Sequence, residues 1–193
     1  MVNLLRKIGD DAIALYGKVS NRFRNVVNMA RPNSFYSFDI QKYMGTWQQV
    51  FRTPNSFQNN QAVKTTATYS FKDNGVEVIN TETLADGSTK TAKGRGVPVP
   101  NEPTKLWVSF FPPFSASYWI LDVGNDNPGI MGNKEYNYAL VGSPYSNAMW
   151  ILAKPDVHES TIDRLKQKAQ DMGFYLENGI DTPIVFEKSD IYF

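Results

Sequence analysis

The sequence predicts a mainly β fold, an antiparallel barrel or sandwich. Three observations carry that prediction: about eight short strand-like runs follow Pro32, tight-turn signals separate them, and a single helix-like run follows the last. One helix cannot cover both faces of a parallel sheet, which argues against an α/β fold. A chain of 193 residues suits one domain with an appendage, and it buries enough surface to need no metal or disulfide staple.

The first element is helical. Over residues 3–30, Leu4, Ile8, Ala12, Leu15, Val19, Phe23 and Val26 recur at spacings of three and four and make one apolar stripe, which Arg31-Pro32 ends. Residues 1–31 hold six basic side chains (Arg6, Lys7, Lys18, Arg22, Arg24, Arg31) against Asp10 and Asp11, a local surplus of +4 on a chain of formal charge +1. Two roles stay open for this segment: peripheral contact with an anionic membrane, or packing on its own domain or on a second subunit in a homodimer. Asp10 and Asp11 dilute the basic face and favour packing.

Strands follow. Gly45 to Phe51 comes behind the short turn-like run Asp39-Ile40-Gln41-Lys42. Residues 62–71 alternate, with Val63, Thr65, Ala67, Tyr69 and Phe71 on one face, and Asp73-Asn74-Gly75 then turns the chain, since Asn and Gly accept positive φ. Val76 to Leu84 is the third run, and Asp86-Gly87 leads into Ser88 to Val97, which Pro98 and Pro100 stop. Lys105 to Phe111 is strongly β-like, Pro112-Pro113 breaks it, and Ser117 to Val123 resumes. Gly124 to Glu135 reads as a long loop, and Tyr136 to Val141 with Ala148 to Lys154 as a last hairpin around Gly142-Ser143-Pro144. Residues 157–172 are predicted helical: Asp156 and Glu159 suggest a capping box, Ile162, Leu165, Ala169 and Met172 form the stripe, and Gly173 stops it. Pro183 to Phe186 is a strand-like fragment of the tail. The chain thus divides into a helical extension at 1–34, a barrel with its helix at 35–180, and a tail at 181–193.

Chemistry is scarce. There is no cysteine and one histidine, His158, so neither a thiol nucleophile nor a two-histidine metal site is available. The chain has no Gly-x-Ser-x-Gly elbow and no phosphate loop, and Gly94-Arg95-Gly96 is followed by Pro98 where a dinucleotide fingerprint needs a helix, so it reads as a strand needing small residues at a bend. Glu77 and Glu82 are the one conceivable carboxylate pair, and exposed strand charge is their ordinary reading. No catalytic residue, metal or cofactor is expected. Thirteen aromatics lie on or beside the strands, yet no basic residue falls between Lys105 and Lys134, which disfavours nucleic acid and leaves a barrel interior suited to a hydrophobic guest. With no signal-peptide pattern and no apolar run near the roughly 20 residues of a membrane span, an intracellular, cytoplasmic location is expected, with peripheral membrane association through residues 1–31 left open.

These residues resemble a known family. Gly45-Thr46-Trp47 is similar to the first signature of the lipocalins. Thr66 to Ser70, Asn74-Gly75, Val78-Ile79-Asn80, Glu102 to Phe111, Tyr118 to Leu121, Tyr136 to Val141 and Trp150 to Lys154 resemble, in order and spacing, the bacterial lipocalin and apolipoprotein D group. The likeness spans roughly residues 36–180. It implies an eight-stranded antiparallel up-and-down β-barrel, a calyx with the C-terminal helix outside, that binds and transports a fatty acid, lysophospholipid or similar lipid without catalysis. It also implies that Gly45, Trp47 and Lys154 mark the closed end, where a basic side chain, usually arginine, crosses the tryptophan ring. By the same resemblance, Phe51, Ala67, Tyr69, Phe71, Ile79, Val108, Phe110, Tyr118, Ile120 and Trp150 face the ligand, with Gln49 beside them, and Pro54 to Gln61 lies over the mouth with Phe57 and Phe114 at its rim. Departures are the missing cysteine, which bacterial members use as a lipid anchor and secreted members in disulfides, and the extra residues at the start. Plant temperature-induced lipocalins are nearer in lacking a signal peptide. The alternative is an interaction protein that uses the barrel as scaffold and residues 1–31 as anchor or oligomer contact, and an enzyme on the same barrel is the least supported.

Overall fold

The computed structural model describes residues 38–126, 135–143 and 145–185, together with Lys18. The predicted helix over 3–30 therefore lies outside the described residues, apart from Lys18, which is helical, and so does most of the predicted loop at 124–135.

Eight strands form the barrel: β1 (Gly45–Arg52), β2 (Lys64–Lys72), β3 (Gly75–Thr83), β4 (Thr89–Val99), β5 (Glu102–Phe111), β6 (Phe114–Gly124), β7 (Tyr138–Gly142) and β8 (Met149–Ala153). Each pairs antiparallel with the next, β8 pairs with β1, and Gly45–Gln48 of β1 pairs with β2, which closes the ring. Turn chemistry sets the hairpins: Asp73 and Asn74 both take positive φ (47° and 58°), the two-residue geometry that matches the strand twist, and Gly87 does the same at 81°. Pro98 lies inside β4 beside a register shift rather than ending the strand, a place where a missing N–H costs little.

A short helix, α1 (Ile40–Tyr43), precedes β1, with Asp39 as its cap accepting from Gln41 N–H at 2.9 Å. The long helix, α2 (Glu159–Asp171), packs outside the barrel. Its Ile162, Leu165 and Ala169, with Met172 and Phe174 beyond it, join the outward side chains Val50, Leu121, Leu140, Met149 and Ile151 in one core, while a second core fills the barrel around Trp47, Tyr69, Val78, Val108 and Leu152.

Two expectations near this helix are corrected. The N-cap is His158, not Asp156, and it makes no side-chain cap bond. Asp126, after β6, does that work instead: Oδ2 accepts from His158 N–H at 2.7 Å and Oδ1 from the Thr161 hydroxyl at 2.7 Å. Asp156 instead takes a turn with φ 68°. The tail strand, β9, is Ile180–Asp181 on the edge of β1; of the expected fragment Pro183 to Phe186, residues 183–185 form no strand and Phe186 lies outside the described residues. Beyond it the Gln48 side chain replaces the ladder, donating to Pro183 O at 2.5 Å and accepting from Val185 N–H at 3.0 Å.

Candidate ligand site

The floor is built where β1 begins. Trp47 is fully buried, and its Nε1 donates to Tyr43 O at 2.8 Å, which folds α1 under the barrel. Lys154, just after β8, places Nζ 4.9 Å from the Trp47 ring centroid while donating to Met44 O and Glu135 Oε2, each at 2.8 Å. Gly45 takes φ +99°, a backbone conformation that favours glycine, and Lys154 Nζ lies in ordinary contact distance of it.

Above the tryptophan, three phenols converge. Tyr118 Oη lies 2.7 Å from Tyr43 Oη and 2.8 Å from Tyr69 Oη. Burial pushes Tyr43 and Tyr118 well above the ordinary phenol range. It raises Tyr69 to about 12, against the opposing pull of its bonds to Tyr118 and Tyr43. The cavity these rings line, with Ile40, Met44, Val76, Val78, Leu106, Val108 and Ile120, is ≈ 10 Å³, the room of about one water molecule. The wall opposite is thinned by Gly94 and Gly96: a Cβ at Gly94 would stand 2.8 Å from Phe110 Cδ1, and one at Gly96 3.1 Å from Leu106 Cδ2. These glycines make room for inward side chains of β5, a more specific role than the bend expected of them.

The other end is polar. Arg52, 2 % exposed, ends β1 on the inner face, opposite Trp150 of β8. The loop between β1 and β2 folds down onto these residues. Gln58 donates to Gln49 Oε1 at 2.8 Å and accepts from Trp150 Nε1 at 2.7 Å, while Asn60 Oδ1 accepts from Arg52 Nη2 at 2.6 Å. Asn59 N–H bonds Glu82 Oε1 of β3 at 3.0 Å, and the Phe57 ring lies 6.1 Å from Trp150. Burial lowers the Arg52 pKa, and the charge of Glu82 pulls it back up. Outside this mouth, Phe57, Phe111 and Phe114 are 66 %, 77 % and 77 % exposed.

Of the ten residues expected inside, Ala67, Tyr69, Val108, Phe110, Tyr118, Ile120 and Trp150 belong to or pack against the inner core. Three do not line it. Phe51 points outward, because a β-bulge between Gln49 and Phe51 breaks the alternation; its ring packs in the outer core, with Lys166 Nζ 4.7 Å from its centroid. Ile79 faces outward: the two-residue turn sets Val78 opposite Tyr69, so Val76, Val78, Asn80 and Glu82 take the inner face. That register was available from the Asp73-Asn74 turn by counting back along the hairpin. Phe71 keeps its alternation but is 52 % exposed, two residues past the Tyr69–Gly45 pair. Sequence reasoning missed Arg52, Gln58 and Leu106, and it read Glu82 as exposed strand charge where the structure buries it on the inner face; for Arg52 the available signal was a charge closing a strand just after Val50 and Phe51. Among the described residues, no group of three or more His, Asp or Glu side chains has metal-binding geometry.

The family model for the lipocalin-like domain matches residues 38–183. The chain is 34 % identical to apolipoprotein D of Bos taurus over 165 residues, 79 % of this chain and 80 % of the relative. It is 28 % identical to temperature-induced lipocalin-1 of Arabidopsis thaliana over 155 residues (75 % and 78 %), and 31 % identical to the outer membrane lipoprotein Blc of Vibrio cholerae over 142 residues (71 % and 77 %). Among solved structures, lipocalin 12 from rat epididymis superposes with a TM-score of 0.60 at 17 % identity, covering 82 % of this chain and 94 % of that one.

Proposed function

The chain belongs to the lipocalin family, and from that premise we propose that it is a non-catalytic carrier of a single-chain lipid held inside the barrel. The observation that carries this reading is the closed barrel whose inner face, above the Trp47 floor, is mostly apolar and aromatic, with polar groups gathered toward the end of Arg52, Glu82 and Trp150. Lipid-sized sites run to about 300 Å³ or more. The cavity at the floor holds about one water, so uptake requires the barrel interior to open further. Native mass spectrometry of the purified protein, before and after delipidation, tests the reading. Retained lipid, or uptake of an acyl-chain ligand at micromolar concentration, is expected. A barrel that does neither is no carrier.

A second reading adds a lipid surface as the place of exchange. The loop at 53–63 and the whole stretch 106–121 have no charged residue, and Phe57, Phe111 and Phe114 project from that same end. Uncharged aromatics suit the interface of a bilayer better than bulk water.

A further inference from the structure

The mouth loop brings polar side chains onto the inner face of the barrel. Two of its side-chain amides reach down as acceptors: Gln58 Oε1 to Trp150 Nε1 and Asn60 Oδ1 to Arg52 Nη2. The two donors are paired across the β1–β8 ladder and point the same way, into the barrel. We propose that Arg52 and Trp150 form a head-group site for a single-chain lipid with an uncharged, hydroxylated ester or amide head, and that Gln58 and Asn60 occupy this site as surrogates of the ligand's oxygens. The inference rests on the carrier reading and names the ligand class for that same barrel.

Three observations select an uncharged head over a free carboxylate. Arg52 and Glu82 both lie buried on the inner face at this end, one of each sign, so together they bring no net charge, and a ligand carboxylate would add a third formal charge without a counterion. Both atoms now on the donors are neutral amide oxygens, which an ester or amide carbonyl reproduces in polarity. Finally, Asn80, one inner position below Glu82 on β3, has its Oδ1 buried without a hydrogen-bond partner. A carboxylate has no proton to offer it, whereas a glycerol hydroxyl has one. The head thus bonds Arg52 and Trp150 through its carbonyl and Asn80 through its hydroxyl. Binding of the head and closure of the loop exclude each other at Trp150, whose Nε1 has one proton to give.

The test uses the full chain and two probes of equal tail length, monopalmitoylglycerol and palmitate, each displacing an anilinonaphthalene dye. At neutral pH the monoacylglycerol is expected to bind about tenfold more tightly or better. Glu82→Gln, which keeps the shape and leaves Arg52 uncompensated, is expected to shift the preference toward palmitate by about tenfold. Gln58→Ala combined with Asn60→Ala removes the surrogate acceptors and is expected to tighten binding of monopalmitoylglycerol. Palmitate binding as tightly as the monoacylglycerol, or a preference unmoved by Glu82→Gln in a folded variant, overturns the head-group inference while leaving the carrier standing. Neither probe binding the wild type or the double variant overturns the carrier itself. Should Glu82→Gln fail to fold, the wild-type preference still decides.

Discussion

Lys154 joins three groups at the floor: the Met44 carbonyl, the Trp47 ring and Glu135. Its side chain is 11 % exposed and that of Glu135 70 %, so the carbonyl and ring contacts carry the weight and the ion pair adds little. Lys154→Met is expected to lower unfolding free energy by about 2 kcal/mol, whereas Glu135→Gln costs about 0.5 kcal/mol or less, both read from urea midpoints. At Gly94 an added methyl meets the Phe110 ring at 2.8 Å and Ser109 O at 2.9 Å, so Gly94→Ala should cost about 1–3 kcal/mol. The phenols predict an alkaline limit. Tyr43, Tyr69 and Tyr118 stay protonated in the folded chain above the value near 10 at which they ionise when unfolded. The folded state therefore binds more protons above that value, and the stability present below about pH 10 is lost as pH rises through the folded pKa, about 12 for Tyr69. Urea midpoints that fall across this window, and fall less in Tyr69→Phe, are the expected outcome. The floor was legible because Gly45, Trp47 and Lys154 lie in a recognisable order. The Tyr43 partnership was not, since a four-residue helix carries no periodicity.

Among the elements, β1 is the one that alternation misjudges. Nothing in Gln49-Val50-Phe51-Arg52 marks a bulge: there is no glycine, and both Val50 and Phe51 suit either side of the wall. The inserted residue gives the outer core its Phe51 and the inner face its Arg52. Phe51→Ala should therefore cost about 3–5 kcal/mol of stability by opening space under α2, while dye affinity of the remaining folded protein stays unchanged. Trp150→Phe should do the reverse, weakening ligand binding with a smaller loss of stability. Strand limits were legible almost throughout because turns and prolines punctuate them. Which face looks inward was not legible where two apolar residues adjoin, as at Val78-Ile79, since either register then satisfies hydrophobicity.

At the scale of the molecule, the near-balanced formal charge conceals a division: the basic surplus at residues 1–31, and a mouth whose β1–β2 loop carries no charge. The two make opposite predictions for vesicles. Attachment through the mouth persists on neutral phosphatidylcholine, is insensitive to salt, and is lost in Phe111→Ser with Phe114→Ser; attachment through residues 1–31 needs anionic lipid and fades as salt rises. Co-sedimentation with the two vesicle types separates them. The carboxylate of Asp126 has a consequence of another kind. It serves the first turn of α2 from 32 and 35 positions away in sequence, a cap that the N-cap residue His158 does not supply with its own side chain. The helix is thereby made to wait: its start is secured only once β6 has been laid down and the chain has passed through β7 and β8, a long loop to close. Refolding followed by pulsed hydrogen exchange should find the amides of Glu159 to Ile162 among the last protected, with Asp126→Ala delaying them further and leaving the early hairpins of β2 to β4 on their own schedule.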